Sequence, residues 1–321
     1  MTAPVGVFFY LHAMQQFTKP VISIADQILQ LQSRGLIVED FARAERYLMS
    51  VGYYRLSAYC FPFEVDKQQH LFAEGTTFND VLSIYIFDRK LRCLFVEAME
   101  RIEIYLRAQW VNRLIQSTQN PFAHMDRKNF NNQPKYIQHL SKLMSSLSSR
   151  QKEPYIQHFY GKYEEVSPPL WSCVQLMSFG ELVTWVDMTA DNVVKKEIAQ
   201  SVGFPDYKPF SSFIWSLIEV RNICAHHGRL WNKVLMKPHE TIKTLSTNHP
   251  YIKGQLPIVP TGKLFPMILL VTSVLRAINH GTSWPVRLGD LLEERSDSQL
   301  LEMGFPLNWR DVGLFRAEIA E

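Results

Sequence analysis

The chain has 321 residues, of which 46% are hydrophobic and 20% charged, as in globular proteins with a substantial core. Its formal net charge of +3 is too small to indicate nucleic-acid binding by itself. Four cysteines are far apart and form no Cys-x-x-Cys pair, which argues against a zinc site and against a disulfide framework. Four small buried side chains in a reducing compartment fit this pattern better.

Two apolar stretches could be mistaken for membrane segments. Residues 5–14 lack a preceding basic region and are short for a signal peptide. Residues 264–278 are too short to span a bilayer and contain Arg276. The sequence therefore predicts a cytoplasmic protein with no membrane partner.

Helical spacing of apolar residues begins near the N-terminus. Residues 21–33 and 39–51 are predicted to form two short helices, which fit either a helix-turn-helix reader or a plain scaffold. The aromatic-rich stretch 52–63 fits either core packing or stacking on bases. A long helix is predicted over about 77–114, because eight apolar residues keep a helical period: Ile84, Phe87, Leu91, Leu94, Phe95, Ala98, Ile102 and Leu106.

The polar stretch 119–150 is expected to be loop and weak helix, and Pro168-Pro169 marks a break. Helices are predicted near 171–187, 191–202, 209–227 and 264–280, with one or two short helices after residue 285. Residues 229–262 contain four prolines and are expected to be mostly loop, a candidate lid. We predict an all-α protein, with an N-terminal helical subdomain over 1–75 and a helical bundle over 76–321.

The most informative segment ends the helix predicted at 209–227. Arg221 continues its apolar face, so we expect the guanidinium to point inward and to need an acidic partner or a ligand. Asn222 and His226 are four residues apart and therefore neighbours on the helix, and Gly228 is expected to cap it. The apolar face is formed by Phe210, Phe213, Ile214, Leu217 and Ile218.

Other polar and aromatic residues are candidates to support this site. Asp88, Glu100 and Glu103 on the long helix are candidate partners for Arg221, and solvated surface charges are the alternative. Residues 221–243 contain five basic residues and one acid, which suits an anionic backbone or an ordinary solvated basic face. Candidates for binding or supporting roles close to the motif are His227, Arg229, Trp231 and Asn232.

The run Arg-Asn-x-x-x-His at 221–226 is the signature of the HEPN superfamily of all-α RNases and nucleotide-binding domains. The longer string RNICAHHGRLWN at 221–232 closely resembles the bacterial Abi-like (abortive infection, AbiD/AbiF-type) proteins within it. Because residues 1–13 fit that family poorly, Met14 is a candidate for the biological start. Further blocks resemble the family in its own order, and with the motif they cover roughly 18–310: residues 33–36, 52–59, 87–92, 100–103, 176–180 and 303–306.

The residue types of the motif suit metal-independent RNA cleavage. Histidine can accept the proton of a ribose 2′-hydroxyl or protonate the leaving 5′-oxygen near neutral pH. Arg221 offers a planar fork to phosphate oxygens, and Asn222 could orient His226. No metal-ligand cluster is visible in the sequence and no cofactor is expected.

The resemblance implies a HEPN-like bundle and an endoribonuclease of an abortive-infection or toxin system. One chain supplies one motif histidine, so we expect a homodimer whose two-fold axis joins Arg221, Asn222 and His226 of both chains in one composite site. RNA is the expected partner, and a bound regulatory RNA is a further candidate. Two alternatives remain: a non-catalytic RNA- or nucleotide-binding regulator on the same scaffold, and a scaffold protein whose motif is structural.

Overall fold

A computed structural model describes residues 20–235, 262–311 and 313–315 of the chain. Residues 1–13 and most of the candidate lid at 229–262 therefore lie outside the described residues. Thirteen α-helices and one two-stranded sheet occur in the described part, so the predicted all-α class is confirmed. The helices are α1 Ile24–Ser33, α2 Phe41–Val51, α3 Tyr53–Cys60, α4 Phe78–Thr118, α5 Gln133–Ser149, α6 Pro154–Tyr160, α7 Leu170–Cys173, α8 Phe179–Met188, α9 Asn192–Gln200, α10 Tyr207–Ala225, α11 Leu264–Ile278, α12 Trp284–Leu292 and α13 Asp297–Glu302.

The chain divides into two compact units, Met1–Tyr85 and Ile86–Glu321, and the division falls within α4. In the first unit, α1 packs on α2, which confirms the helix pair expected at 21–33 and 39–51. The strands β1 Glu64–Asp66 and β2 Leu71–Phe72 form an antiparallel pair. The aromatic stretch becomes α3 and a 3₁₀ turn, Phe61–Phe63, in which Tyr59 is buried whereas Tyr54 is exposed.

The long helix α4 has 41 residues, and at 1.5 Å per residue it extends over ~60 Å. Neither glycine nor proline interrupts it. Its start is fixed by a reciprocal cap, in which the Thr77 hydroxyl accepts from the Asp80 amide and the Asp80 carboxylate accepts from the Thr77 amide. Of the eight apolar residues that predicted this helix, all except Leu94 are buried, which confirms the period.

The second unit is built around aromatic packing. Trp110 of α4 and Trp185 of α8 pack with ring centroids 6.2 Å apart, and Phe130 meets Trp185 edge-on at 5.0 Å. Helix α11 is also nearly all buried, and the Trp284 indole of α12 donates to the Leu94 carbonyl of α4 at 2.7 Å. No helix in the described segments is both long and apolar enough to cross a membrane.

Two helix predictions need correction. The stretch 119–150 contains a regular helix, α5. Asn132 caps its start, and the helix buries Tyr136, Leu143 and Leu147 along one face. The single helix expected at 171–187 is broken into α7 and α8, because Ser178 forms a capping box with Glu181 and starts a new helix.

Candidate functional site at the end of helix α10

Helix α10 ends in a turn that places the motif at its last residues. The amide of Gly228 donates to the Ile223 carbonyl at 2.7 Å, and the amide of His227 donates to the Cys224 carbonyl at 3.1 Å. These two bonds are those of a Schellman motif, whose left-handed position is usually glycine. His227 occupies that position with φ 56°, at a cost in backbone strain.

The prediction that Gly228 is the left-handed cap is therefore wrong by one residue. Gly228 is needed for a different reason. A Cβ at Gly228 would lie 3.2 Å from both the carbonyl oxygen and the Cγ2 atom of Ile223. The close approach of the chain to the last turn of α10 therefore favours glycine at 228.

Asp88 of α4 binds the backbone of the segment that follows the turn. One carboxylate oxygen of Asp88 accepts from the backbone amides of Leu230 at 3.1 Å and Trp231 at 2.7 Å. The other oxygen binds the guanidinium of Arg92, and both side chains are buried. The Asp88 carboxylate thus joins the motif segment to α4 through two backbone hydrogen bonds, and its ion pair with Arg92 lies within α4.

The motif side chains lie on the opposite, outward side of the turn. Asn222 and His226 are exposed and stand one helical turn apart, with the His226 amide bonded to the Asn222 carbonyl at 3.0 Å. Arg221 is half-buried, and the expectation that its guanidinium points into the protein stays a prediction. The buried face of α10 continues through Val220 and Cys224, so position 221 lies at the edge of that face.

None of the three candidate acids pairs with Arg221. Asp88 binds Arg92 and the motif backbone, Glu103 pairs with Arg107 one turn along α4, and Glu100 is exposed. Within the part of the chain that the structure describes, the side chains of Arg221, Asn222 and His226 form no hydrogen bond or ion pair. A half-buried guanidinium without a carboxylate partner is suited to bind an anion.

Comparison with protein families identifies this motif-bearing region. The family model described as "Abi-like protein" matches residues 46–232, more than half of the chain, and this span includes the long helix and the whole motif. The chain belongs to the Abi-like protein family. It is thus an abortive-infection-type protein. No curated protein and no solved structure matched the chain in the other two comparisons.

The family match ends at Asn232, and the residues that close it have mainly structural contacts. Trp231 is fully buried and meets Phe87 edge-on at 5.6 Å, so its ring supports the segment and is not available to stack on RNA. The Asn232 amide accepts from Lys263 at 2.6 Å and donates to Glu302 at 3.2 Å. Arg229 is half-buried, whereas His227 is exposed beside His226.

Charge and burial differ between the two sides of the Abi-like motif. Burial raises the pKa of the Cys224 thiol to about 12, so this inward-facing side chain is an inert packing group at neutral pH. On the outward side, the described basic residues are Arg221, Arg229 and Lys233. The remaining members of the basic run, Lys237 and Lys243, lie outside the described residues, as does the single acid of that run.

Sequence reasoning missed two features of this site. Arg92 was not recognised as the partner of Asp88, although their spacing of four residues on a helix is the expected signal. Trp215 was not recognised as an exposed residue on the outward face of α10, seven residues before Asn222 and eleven before His226. Among residues 20–235 and 262–311, no group of three or more histidine, cysteine, aspartate or glutamate side chains could hold a metal ion.

Proposed function

We propose that this Abi-like protein is a metal-independent endoribonuclease of a phage-defence or toxin system, built on a HEPN-type bundle. The supporting observation is the two-sided environment of the motif. On the buried side, Asp88 and apolar packing fix the segment that follows the turn. On the other side, the side chains of Arg221, Asn222 and His226 have no hydrogen-bond or ion-pair partner in the described structure. Polar side chains held on a rigid element and left unpaired are suited to bind a ligand.

In this proposal, Arg221 binds the non-bridging oxygens of the scissile phosphate and stabilises their charge as the 2′-oxygen attacks. His226 of one chain removes the 2′-hydroxyl proton, and His226 of the second chain protonates the 5′-oxygen as its bond to phosphorus breaks. The products are a 2′,3′-cyclic phosphate and a free 5′-hydroxyl. Asn222, one turn from His226, orients the imidazole or donates to the phosphate.

Product chemistry separates this function from its alternatives. Purified protein is incubated with total RNA in the presence of a chelator, and fragment ends are identified. Cyclic phosphate ends support the nuclease, whereas retention of intact RNA supports a non-catalytic regulator on the same scaffold. Absence of both would favour a scaffold role. Arg221→Ala and His226→Ala should each reduce cleavage by roughly 100-fold or more, and the matched controls Arg127→Ala and His158→Ala change exposed residues away from the motif.

The homodimer is tested by mixing chains. A heterodimer of wild type and His226→Ala retains one motif imidazole, so a composite site predicts that it loses cleavage nearly as fully as the variant homodimer. Independent sites in each chain predict half of the wild-type rate. Differently tagged chains allow the heterodimer to be isolated before the assay, and light scattering gives its mass.

A further inference from the structure

The outward face of α10 carries an exposed tryptophan in line with the motif. Trp215 is 44% exposed, and its spacing of seven and eleven residues from Asn222 and His226 sets all three on one side of the helix. Trp215 lies ~16 Å along the helix axis from His226. A large exposed ring in line with polar site residues is typical of a binding surface.

The ring of Trp215 is held in a fixed orientation. Its indole nitrogen donates to one carboxylate oxygen of Asp187 at 2.8 Å, and the other oxygen accepts from the hydroxyls of Tyr207 at 2.6 Å and Ser211 at 2.8 Å. Burial raises the pKa of Tyr207, so this hydroxyl stays protonated and remains a donor. Because the ring is already ordered, a ligand that stacks on it loses less conformational entropy on binding.

Beside the ring is a pocket of about 260 Å³ lined in part by residues with planar polar side chains. These residues are Asn131, Asn132, Gln138 and His139, of which Asn132 also caps α5 through its side-chain oxygen. The Nδ1 atom of His139 is buried without a hydrogen-bond partner in the described structure, and burial lowers the pKa of this imidazole. A neutral imidazole and amides present both donors and acceptors, as the edge of a nucleobase requires.

A second pocket of about 700 Å³ shares Asp187 with the first and is lined by three lysines, Lys195, Lys196 and Lys208, which outnumber its two carboxylates, Asp187 and Asp206. None of these lysines forms an ion pair among the described residues. Lys195 is 8% exposed, and its ammonium lies 5.6 Å from the centroid of the Tyr207 ring. Unpaired ammonium groups at the wall of a pocket are suited to phosphate.

We propose that the two adjoining pockets form a nucleotide subsite for single-stranded RNA, in which a base stacks on Trp215 and its phosphate binds the lysines. This inference rests on the proposed function, because it assigns a second contact of the same RNA. The amides and His139 read the base edge, so the nuclease would prefer one base at a fixed distance from the cut. That distance follows from the separation of Trp215 and His226 along α10.

The test uses the full chain carrying His226→Ala, so that RNA is bound without being cut. A fluorescein-labelled single-stranded oligoribonucleotide of mixed sequence is titrated, and anisotropy gives Kd. Adding Trp215→Ala should weaken binding by roughly 5- to 150-fold, the effect of losing one stacked base. Adding Trp171→Ala, the matched control at another exposed tryptophan, should leave Kd unchanged. Adding Lys208→Gln should reduce the slope of log Kd against log salt concentration by about 1, the change expected for the loss of one phosphate contact.

Folding and alternative occupants are checked in the same series. Trp215→Phe keeps a stacking ring but loses the bond to Asp187, so its Kd should lie between those of wild type and Trp215→Ala. The proposal is overturned if Trp215→Ala binds RNA as tightly as the Trp171→Ala control. It is also overturned if Trp215→Ala converts a dimer to a monomer, or if free ATP binds as tightly as the oligonucleotide.

The outcomes separate this subsite from the nuclease itself. If Trp215→Ala loses binding while wild type never cleaves RNA, the subsite stands and the proposed reaction fails. If wild type cleaves RNA and Trp215→Ala binds and cleaves equally well, the reaction stands and the subsite fails.

Discussion

Removal of the Asp88 carboxylate should loosen the motif segment and destabilise the whole second unit. Asp88→Ala removes the carboxylate from a buried ion pair with Arg92, and breaking a buried pair costs about 3–5 kcal/mol in proteins generally. It also leaves the Leu230 and Trp231 amides without an acceptor, at about 1–3 kcal/mol each if they stay buried. The losses overlap, because a loosened segment lets water reach all three groups, so we expect about 3–5 kcal/mol in total.

Urea unfolding followed by circular dichroism measures that loss. The matched control is Glu97→Ala, which removes another α4 acid with an arginine four residues later, but Glu97 and its two partners, Arg101 and Arg287, are partly exposed. This control should cost only about 0.2–1 kcal/mol for each of the two pairs. Because 3–5 kcal/mol is a large part of a typical domain's stability, a second variant keeps the test informative. Asp88→Asn with Arg92→Met removes both charges and retains an acceptor oxygen, so it should recover part of the loss.

Hydrogen exchange locates the effect. In the destabilised but folded variants, the amides of Leu230 and Trp231 should exchange faster than in wild type, whereas the Glu97→Ala control should leave them protected. If Asp88→Ala lowered the free energy of unfolding by less than about 1 kcal/mol, or if exchange of these amides did not change, our account of how the motif is held would be refuted.

Three further predictions concern single residues of the fold. Burial lowers the pKa of His124 from 6.5 to about 4. As the pH falls through this range the unfolded state binds the proton first, so the folded protein loses stability. Equilibrium unfolding should show a loss of about 3 kcal/mol between pH 6.5 and 4 that is absent in His124→Gln. His227→Gly relieves the left-handed strain and should raise the free energy of unfolding by about 0.5–1 kcal/mol, whereas a decrease would contradict the strain. Of the four thiols only Cys93 is exposed, so a thiol reagent should titrate one group in the native protein and none in Cys93→Ser.

The helical architecture was predictable because it depends on the spacing of apolar residues. The period from Ile84 to Leu106 identified α4, and the spacing from Phe210 to Ile218 identified α10. Breaks set by one polar side chain were harder to predict. Helix α8 begins after Ser178 because Glu181 completes its capping box, and this local pattern competed with a continuous apolar stretch.

The motif was chosen as the candidate site from its residue types and spacing, and its role as a site stays a prediction. How far Arg221 is buried depends on where the buried face of α10 passes near its end. The hydrogen-bond partners of Asp88 could not be predicted from the sequence either. Asp88 binds backbone amides more than 140 positions away, and only the packing of the motif segment against α4 creates that contact. The Asp187 cluster that fixes Trp215 joins two helices in the same way.

The measurement that bears most directly on the proposed reaction is the rate at which one defined RNA is cut in chelator by wild type and by His226→Ala. Both proteins must first show the same free energy of unfolding. General acid and base catalysis by the two motif imidazoles predicts a rate lower by roughly 100-fold or more in the variant. Equal rates in the two proteins would contradict a catalytic role for His226.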